Sequence, residues 1–204
     1  MLGVILPARN EEKAIHFVIN NLIRAGISCE DIFVVDNNSS DKTKINSLEL
    51  GVNVLDCKKV GYQSALNHGL NYLIENAYSK FLIVDGDNEI TFQAIQKAIK
   101  SENKYSLIVG SRQKIKRIGE RIINNYFHRF FGVKDIMCGL KLGELGRFNQ
   151  KNNLSFGVDL LNLSNLDERK VLNLPISLNP RNSSRLGNTF VVNIRLLFSL
   201  LKFH

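Results

Sequence analysis

Short apolar runs alternate with amphipathic stretches in the first half of the chain, and this alternation restricts the fold more than any other feature. Runs typical of buried strands begin at Leu2, Ile32, Val52, Phe81 and Leu107. After the first run, apolar side chains recur at helical spacing, at Ile15, Val18, Ile19, Leu22 and Ile23. Strands that alternate with helices in this way favour a mostly parallel sheet. The sequence therefore predicts an α/β domain with helices flanking a central sheet.

The second half of the chain is less regular. Residues Ile118 to Phe131 have an amphipathic helical pattern inside a basic stretch, where a solvated helix face is the ordinary interpretation. We expect a further helix from Phe156 to Leu166 and a strand near Val171 to Leu178. The last segment, 190–203, has the pattern of an amphipathic helix, which would suit either a membrane surface or packing on the domain's own core.

Three carboxylates follow the predicted strand Phe81 to Val84, at Asp85, Asp87 and Glu89. Ligands of open α/β sheets bind outside the carboxyl ends of the strands. Closely spaced carboxylates there suit Mg²⁺ or Mn²⁺ bound together with phosphate oxygens. An isolated Asp-Gly-Asp is more often a plain turn, because Asp and Gly are ordinary turn residues. The strand-end position makes these residues the first candidates for a metal site.

Length and charge set limits on the protein class. A chain of 204 residues with 44% apolar composition is long enough to bury a full core, and we expect one main domain. The net charge of +8 favours an anionic partner such as a nucleotide, a lipid phosphate, an acidic membrane surface or a nucleic acid. Because the chain has no Trp and no recognised nucleic-acid module, we expect no nucleic-acid partner.

Cysteine usage and hydropathy bear on the compartment. The three cysteines are too few and too scattered for a zinc site, and their odd number argues against a disulfide framework. The first apolar run lacks a preceding basic segment and is broken by Pro7 and Arg9, so we expect no secretory signal. No apolar run reaches the roughly eighteen residues that span a bilayer. The expected location is the cytoplasm, with contact at the cytoplasmic face of the membrane allowed.

Four segments in this order resemble the family 2 glycosyltransferases of GT-A fold: Ile5 to Glu12, Val34 to Thr43, Gly61 to Gly69 and Val84 to Asp87. Later segments are similar to the branch of dolichol-phosphate mannosyltransferase and bacterial polyprenyl-phosphate sugar transferases: Gly110 to Arg112, Asp135 to Lys141, Phe156 to Asp159, and Pro175 followed by Arg181 to Gly187. The resemblance implies a Rossmann-like GT-A domain over residues 1–187. Residues 188–204 would form a C-terminal amphipathic helix, peripheral to a membrane.

The resemblance also implies roles for individual residues. The nucleotide of a UDP- or GDP-linked sugar would contact Pro7, Ala8, Asn10, Glu11, Asp36, Gly61, Asn67 and Asp85. Asp87 and Glu89 would hold Mg²⁺ or Mn²⁺ against the diphosphate. The catalytic group would comprise Asp85, Asp87, Arg112 and Arg181, with the two arginines binding the acceptor, helped by Arg117, Arg121 or Arg185. Asp41 has a simpler interpretation as a local cap or Asx-turn.

In this branch the acceptor is a polyprenyl phosphate, which changes what the site must supply. A sugar hydroxyl needs a general base because its proton must leave in the transition state. A phosphate monoester is already largely dianionic at neutral pH, since its second pKa is about 6. The site must instead offset the repulsion between two anions, for which guanidinium groups and a metal ion are suited.

Three other functions are compatible with parts of the sequence. The acceptor could be a glycan hydroxyl in surface polysaccharide synthesis. A sugar nucleotidyltransferase would share the sheet, but it needs a glycine-rich phosphate loop after the first strand, and Pro7 to Glu12 contains no glycine. A non-catalytic nucleotide-sugar-binding protein would keep the fold without turnover, and the intact Asp85, Asp87 and Glu89 argue against it.

Overall fold

The structure, a computed structural model, describes residues 1–115, 117–145 and 171–180. The strands are β1 Leu2–Ala8, β2 Ile32–Asp36, β3 Asn53–Asp56, β4 Lys80–Val84, β5 Leu107–Arg112, β6 Leu140–Glu144 and β7 Val171–Ile176. The α-helices are α1 Ile15–Arg24, α2 Thr43–Glu49, α3 Tyr62–Glu75, α4 Phe92–Ser101 and α5 Ile118–Phe131, and Cys29–Asp31 forms a short 3₁₀ helix. These strands form a seven-stranded sheet in the order β3-β2-β1-β4-β6-β5-β7.

The sheet is mostly parallel, as the alternating pattern predicts. β2 pairs in parallel with β1 and β3, β1 with β4, and β5 with β7. β6 runs antiparallel between β4 and β5. No strand was expected there, because Lys141 and Gly143 interrupt a segment with only two strongly apolar side chains. The observed architecture is the α/β sheet of the GT-A fold.

Strand β1 extends further than its sequence suggests. Pro7 was expected to end the strand, but β1 continues through Ala8 and pairs Pro7 with Val35. β1 pairs with β4 only as far as Ile5, so Pro7 lies where one side of the strand is already free of ladder partners. Proline is tolerated at such positions because its missing N–H breaks no ladder bond.

The central strands and the inner faces of the helices form the core. Val4, Ile5 and Leu6 are fully buried. Four residues of the predicted α1 stripe face inward, whereas the fifth, Ile23, is 37% exposed. α3 packs closely on β1, where a Cβ on Gly69 would overlap the side chain of Ile5. Thr91 caps α4 by accepting a hydrogen bond from the amide of Ala94 at 3.4 Å. These contacts fix the positions of the helices against the sheet. The candidate site lies at the ends of its strands.

Several predicted elements lie outside the described residues. They are the helix at 156–166, the acceptor segment with Arg181 and Arg185, and the C-terminal helix at 188–204. Within the described ranges, no helix has the length and apolar character needed to cross a membrane.

Candidate active site

The carboxyl ends of the parallel strands gather the predicted residues at one edge of the sheet. Ala8 ends β1, Asp36 ends β2, and Asp85 directly follows β4. The turn after β4 packs against β1, since the Gly86 amide lies 3.4 Å from the carbonyl oxygen of Pro7. The ends of β1 and β2 are joined by a 2.8 Å bond from the Asn37 amide to the Ala8 carbonyl. This edge is where ligands of open α/β sheets bind.

Asp85 is the most constrained carboxylate of the edge. Its Oδ1 accepts a 2.7 Å hydrogen bond from the hydroxyl of Tyr62, in the first turn of α3. Its other oxygen lies against Gly139, where any Cβ would collide with the carboxylate. Burial, followed by repulsion from Asp87, raises the pKa of Asp85 to about 6, and Glu89 adds to the rise. Three acidic groups therefore crowd the end of β4.

The donor set of this cluster fits a hard divalent cation. Asp87 Oδ1 accepts a 3.0 Å hydrogen bond from the Glu89 amide, which fixes the turn that carries both side chains. Among the described residues, no three His, Cys, Asp or Glu side chains are already arranged as a metal site. Carboxylate oxygens are the protein ligands that Mg²⁺ and Mn²⁺ prefer, and phosphate oxygens commonly complete such shells. Asp87 and Glu89 therefore fit a metal that arrives with a diphosphate.

Asp36 has the environment expected of a ligand contact. Its side chain is 7% exposed, and Oδ2 accepts a 3.3 Å bond from the Ser39 amide. Its Oδ1 is buried and has no hydrogen-bond partner in the described part of the chain. Buried carboxylate oxygens are rarely left unsatisfied, so a donor from outside the chain is expected there. An N–H of a base or a ribose hydroxyl has that chemistry.

The other predicted nucleotide residues fall into two groups. Pro7 and Ala8 are buried at the end of β1 beside Gly86, and Gly61 begins α3 with φ 137°, which favours glycine. Asn10 instead joins two loops, because its Oδ1 accepts a 2.8 Å bond from the Ser40 amide. Glu11 is buried and donates its amide to Thr43 Oγ1, while Asn67 accepts from Gln63 within α3. The roles of these residues toward a nucleotide remain predictions.

Asp41 forms a local Asx-turn before α2, one of the two local roles predicted for it; the N-cap position itself is Lys42. Its Oδ1 accepts from the Thr43 amide at 2.9 Å, and its Oδ2 accepts from the Glu12 amide at 3.0 Å.

Asn37 has a role that the sequence pattern did not indicate. Its Nδ2 donates to the carbonyl of Lys59 at 2.9 Å, and its Oδ1 accepts from the Gly61 amide at 2.7 Å. The side chain is 4% exposed and holds the loop that leads into α3. A carboxylate here would lose the donor and face a carbonyl oxygen.

We expect Asn37→Asp to lower the free energy of unfolding by about 2 kcal/mol, the cost of an unsatisfied buried group. Chemical denaturation would measure this. Asn53→Asp is the matched control, because Asn53 also donates to a carbonyl, of Glu30 at 2.8 Å, but at an exposed position. Equal losses in the two variants would contradict the anchoring role.

Arg112 lies at the end of β5 in a buried ionic network. Its Nε and Nη2 donate to the two oxygens of Asp135 at 2.7 and 2.8 Å, and Nη2 lies 3.1 Å from Glu120. Asp135 is fully buried and also accepts from Asn124, while Glu120 pairs with Arg117 at 2.8 Å. Burial alone would lower the pKa of Arg112, but the bonds to Asp135 raise it above its ordinary value. Much of the guanidinium is thus engaged within the protein, and its predicted contact with an acceptor remains untested.

Tyr62, Asp135 and Lys141 were not assigned roles from the sequence. Tyr62 lies directly after Gly61 in the segment Gly61 to Gly69, and this position is its only sequence signal. Asp135 and Lys141 begin and end the segment 135–141 that resembles the family. The contacts of Tyr62 with Asp85 and of Asp135 with Arg112 join residues 23 positions apart, so no local spacing reveals them.

The raised pKa of Asp85 gives a prediction about stability. A carboxyl whose pKa is about 6 when folded, against 3.8 ordinarily, contributes stability below pH 4 that is lost as the pH rises through 6. Asp85→Asn removes this loss of stability but weakens the hydrogen bond with Tyr62. We therefore expect the free energy of unfolding at pH 7.5 to rise by roughly 1–2 kcal/mol. Thermal unfolding in EDTA at pH 4.5 and 7.5 would measure it. A difference between variant and wild type that is the same at both pH values would contradict this prediction.

A mostly parallel sheet with two aspartates one residue apart after a central strand is typical of the GT-A fold. The sequence matches the family described as Glycosyl transferase family 2 over residues 3–159, and the chain belongs to that family. It is 31% identical over 114 residues to protein RfbJ of Shigella flexneri, covering 55% of this chain and 85% of that protein. It is 29% identical over 155 residues to the uncharacterised protein MJ1222 of Methanocaldococcus jannaschii, covering 68% and 62% respectively.

Solved structures with the same fold include glucosyl-3-phosphoglycerate synthase of Mycobacterium tuberculosis. Its complex with UDP aligns with a TM-score of 0.76 at 17% identity, covering 98% of this chain and 79% of the synthase. Its complex with Mn²⁺, UDP-glucose and glycerol 3-phosphate aligns with a TM-score of 0.74 and the same coverage. At this identity the similarity establishes the fold, and it agrees with the observed sheet.

Proposed function

We propose that the protein transfers a sugar from a UDP- or GDP-linked donor to a polyprenyl phosphate, using Mg²⁺ or Mn²⁺. The observation that carries the donor half is the position of Asp85, Asp87 and Glu89 at the end of β4, where burial and then repulsion from Asp87 raise the pKa of Asp85. Mutual repulsion of this kind is relieved by a cation. The solved synthase of the same fold, in complexes with Mn²⁺ and UDP-glucose, supports this assignment.

Different residues of the chain bind different parts of the donor. The buried Oδ1 of Asp36, which has no partner in the described part of the chain, accepts a hydrogen bond from the base or ribose. Asp85, held by Tyr62, orients the ribose and sugar, and Asp87 with Glu89 holds the metal. When bound, the metal stabilises negative charge on the departing diphosphate.

The acceptor half of the proposal depends on the exposed face of α5. Ile118, Ile122 and Phe130 are 66%, 45% and 57% exposed, although they are large apolar side chains. Arg121 and Arg129 are also exposed, whereas the helix's acidic residue, Glu120, is buried in the ionic network. A face that is both apolar and basic complements an anionic lipid surface. It would hold the enzyme peripherally at the cytoplasmic face of a membrane, where a polyprenyl phosphate is presented.

A thermal-shift panel tests the donor half. UDP, GDP, CMP and ADP are each added with EDTA or with Mn²⁺, and ligand binding to the folded state raises the midpoint. We expect UDP or GDP to stabilise the protein only in the presence of Mn²⁺. A shift that is independent of metal would contradict the assigned metal role.

Vesicle binding tests the membrane contact. We expect Ile118→Ser/Ile122→Ser to weaken binding to phosphatidylglycerol vesicles about tenfold, since roughly 1–2 kcal/mol of apolar burial is lost. Ile45→Ser/Leu48→Ser on α2 is the matched control, because those side chains are 55% and 52% exposed. Equal effects of the two double variants would contradict a specific role of α5.

An acceptor assay tests the transfer itself. Sugar transfer to a polyprenyl phosphate, rather than to a soluble glycan hydroxyl, would identify the acceptor.

A further inference from the structure

Lys141 is a buried cation that the proposed reaction does not use. It is the second residue of β6, is 1% exposed, and is among the largest fully buried side chains. Burial lowers its pKa. In the described part of the chain it forms no ion pair with any carboxylate. A methionine would fill a similar volume without burying a charge, so packing alone does not account for a lysine here.

The register of the sheet places Lys141 beside the candidate site. It pairs with Ile83 of β4 and with Val109 of β5. Gly139 lies two residues earlier, and its carbonyl accepts a 3.2 Å bond from the Asp85 amide. Ile83 and Lys141 are paired, so their side chains lie on the same face of the sheet. Residues two apart on a strand point to the same face, so Asp85 and Gly139, which are two residues from Ile83 and Lys141, lie on that face as well.

The ammonium of Lys141 holds the turn that precedes β6. Its Nζ donates a 2.6 Å hydrogen bond to the carbonyl of Cys138. The Cys138 amide in turn donates to the carbonyl of Asp135 at 3.1 Å, which closes the turn. The next residue, Gly139, is the one that lies against the Asp85 carboxylate. One hydrogen bond from a buried side chain therefore fixes the backbone that borders Asp85.

We propose that Lys141 is a positioning residue of the donor site, which fixes the Cys138–Gly139 backbone so that Asp85 is held between Tyr62 and Gly139. The inference rests on the proposed function only for its effect on nucleotide binding. The same turn carries Asp135, which binds Arg112. Lys141 thus stabilises a segment that borders the donor carboxylate at one end and the predicted acceptor arginine at the other.

Hydrogen exchange on the protein without ligand tests the tether directly. We expect Lys141→Met to speed exchange of the Asp85 and Cys138 amides at least tenfold, while the core amide of Ile83 is unchanged. Lys80→Met is the matched control, because Lys80 also donates a 2.6 Å bond, to Asn103, but at the exposed opposite end of β4. Faster exchange at all three amides would show a general loss of stability and overturn the proposal, as would unchanged exchange at Asp85 and Cys138.

Nucleotide binding tests the consequence. With Mn²⁺ and whichever of UDP or GDP binds, we expect Lys141→Met to weaken affinity about tenfold, as loss of an orienting neighbour typically does. In an Asp85→Asn background the same substitution should have no further effect, because it acts through Asp85. An equal loss in both backgrounds would overturn the proposal.

A second variant and a separate outcome keep the test decisive. Lys141→Gln keeps an N–H donor in a similar volume, so its exchange rates should lie between those of wild type and Lys141→Met; it replaces the methionine variant if that protein does not fold. Rates for Lys141→Gln equal to wild type with unchanged affinity would overturn the role of the ammonium. If neither nucleotide binds wild type, the proposed function has failed, and the exchange result alone decides the role of Lys141.

Discussion

Asp87→Asn should reduce sugar transfer about a hundredfold to a thousandfold while leaving the fold intact. The substitution keeps the side-chain shape and the Oδ1 acceptor that holds the turn to Glu89, but it removes the negative charge. A metal ion contributes several kcal/mol to stabilising a departing diphosphate, and each 1.4 kcal/mol changes a rate tenfold. Initial rates with saturating Mn²⁺, together with nucleotide affinity with and without the metal, would measure the effect.

Asp56→Asn is the control for this substitution. Asp56 ends β3, which β2 and β1 separate from β4, and its exposed side chain pairs with Lys44. We expect transfer by this variant to stay within twofold of wild type. Full activity of Asp87→Asn would rule out the metal site at the end of β4, and an equal loss in both variants would show a general effect of lost charge.

Asp135→Asn should lower the free energy of unfolding by about 3 kcal/mol. The carboxylate is fully buried and accepts from the guanidinium and amide of Arg112 and from Asn124. Removing one partner of a buried ion pair leaves the other charge uncompensated. The free-energy cost of that buried charge is larger than the net stabilisation that the intact pair contributed. For a chain of this length the loss corresponds to roughly 6–12 °C in midpoint. Thermal and chemical unfolding would both report it.

The exposed pair between Lys44 and Asp56 is the control for burial. Its N–O distance is 2.7 Å, the same as between Arg112 and Asp135, but its side chains are 45% and 59% exposed. Exposed pairs contribute about 0–1 kcal/mol, so Asp56→Asn should leave the midpoint nearly unchanged. Similar shifts for the two variants would contradict the structural role of the buried network.

Residues 1–112 were predictable because their signals are local. Strand runs and helix stripes repeat at the spacings that backbone geometry requires, and α5 has the same ends that its amphipathic pattern predicts. β6 was not predicted because Lys141 interrupts the apolar pattern of a short strand. Only pairing with β4 and β5 stabilises a strand there. The position of Pro7 inside β1 also depends on strand pairing. A proline fits there only because the pairing of β1 with β4 ends at Ile5.

The sequence by itself determined the fold class, the family and the position of the carboxylates after β4, since these depend on periodicity and motif order. Only the tertiary structure decided that Tyr62 and Gly139 confine Asp85 and that Arg112 is bound by Asp135. It also showed that Asp36 has a buried oxygen without a partner among the described residues. The contacts of Asp85 and Arg112 join residues between 23 and 54 positions apart. The reason is physical: hydrogen bonding and burial depend on which strand ends meet at an edge, and no local spacing encodes that meeting.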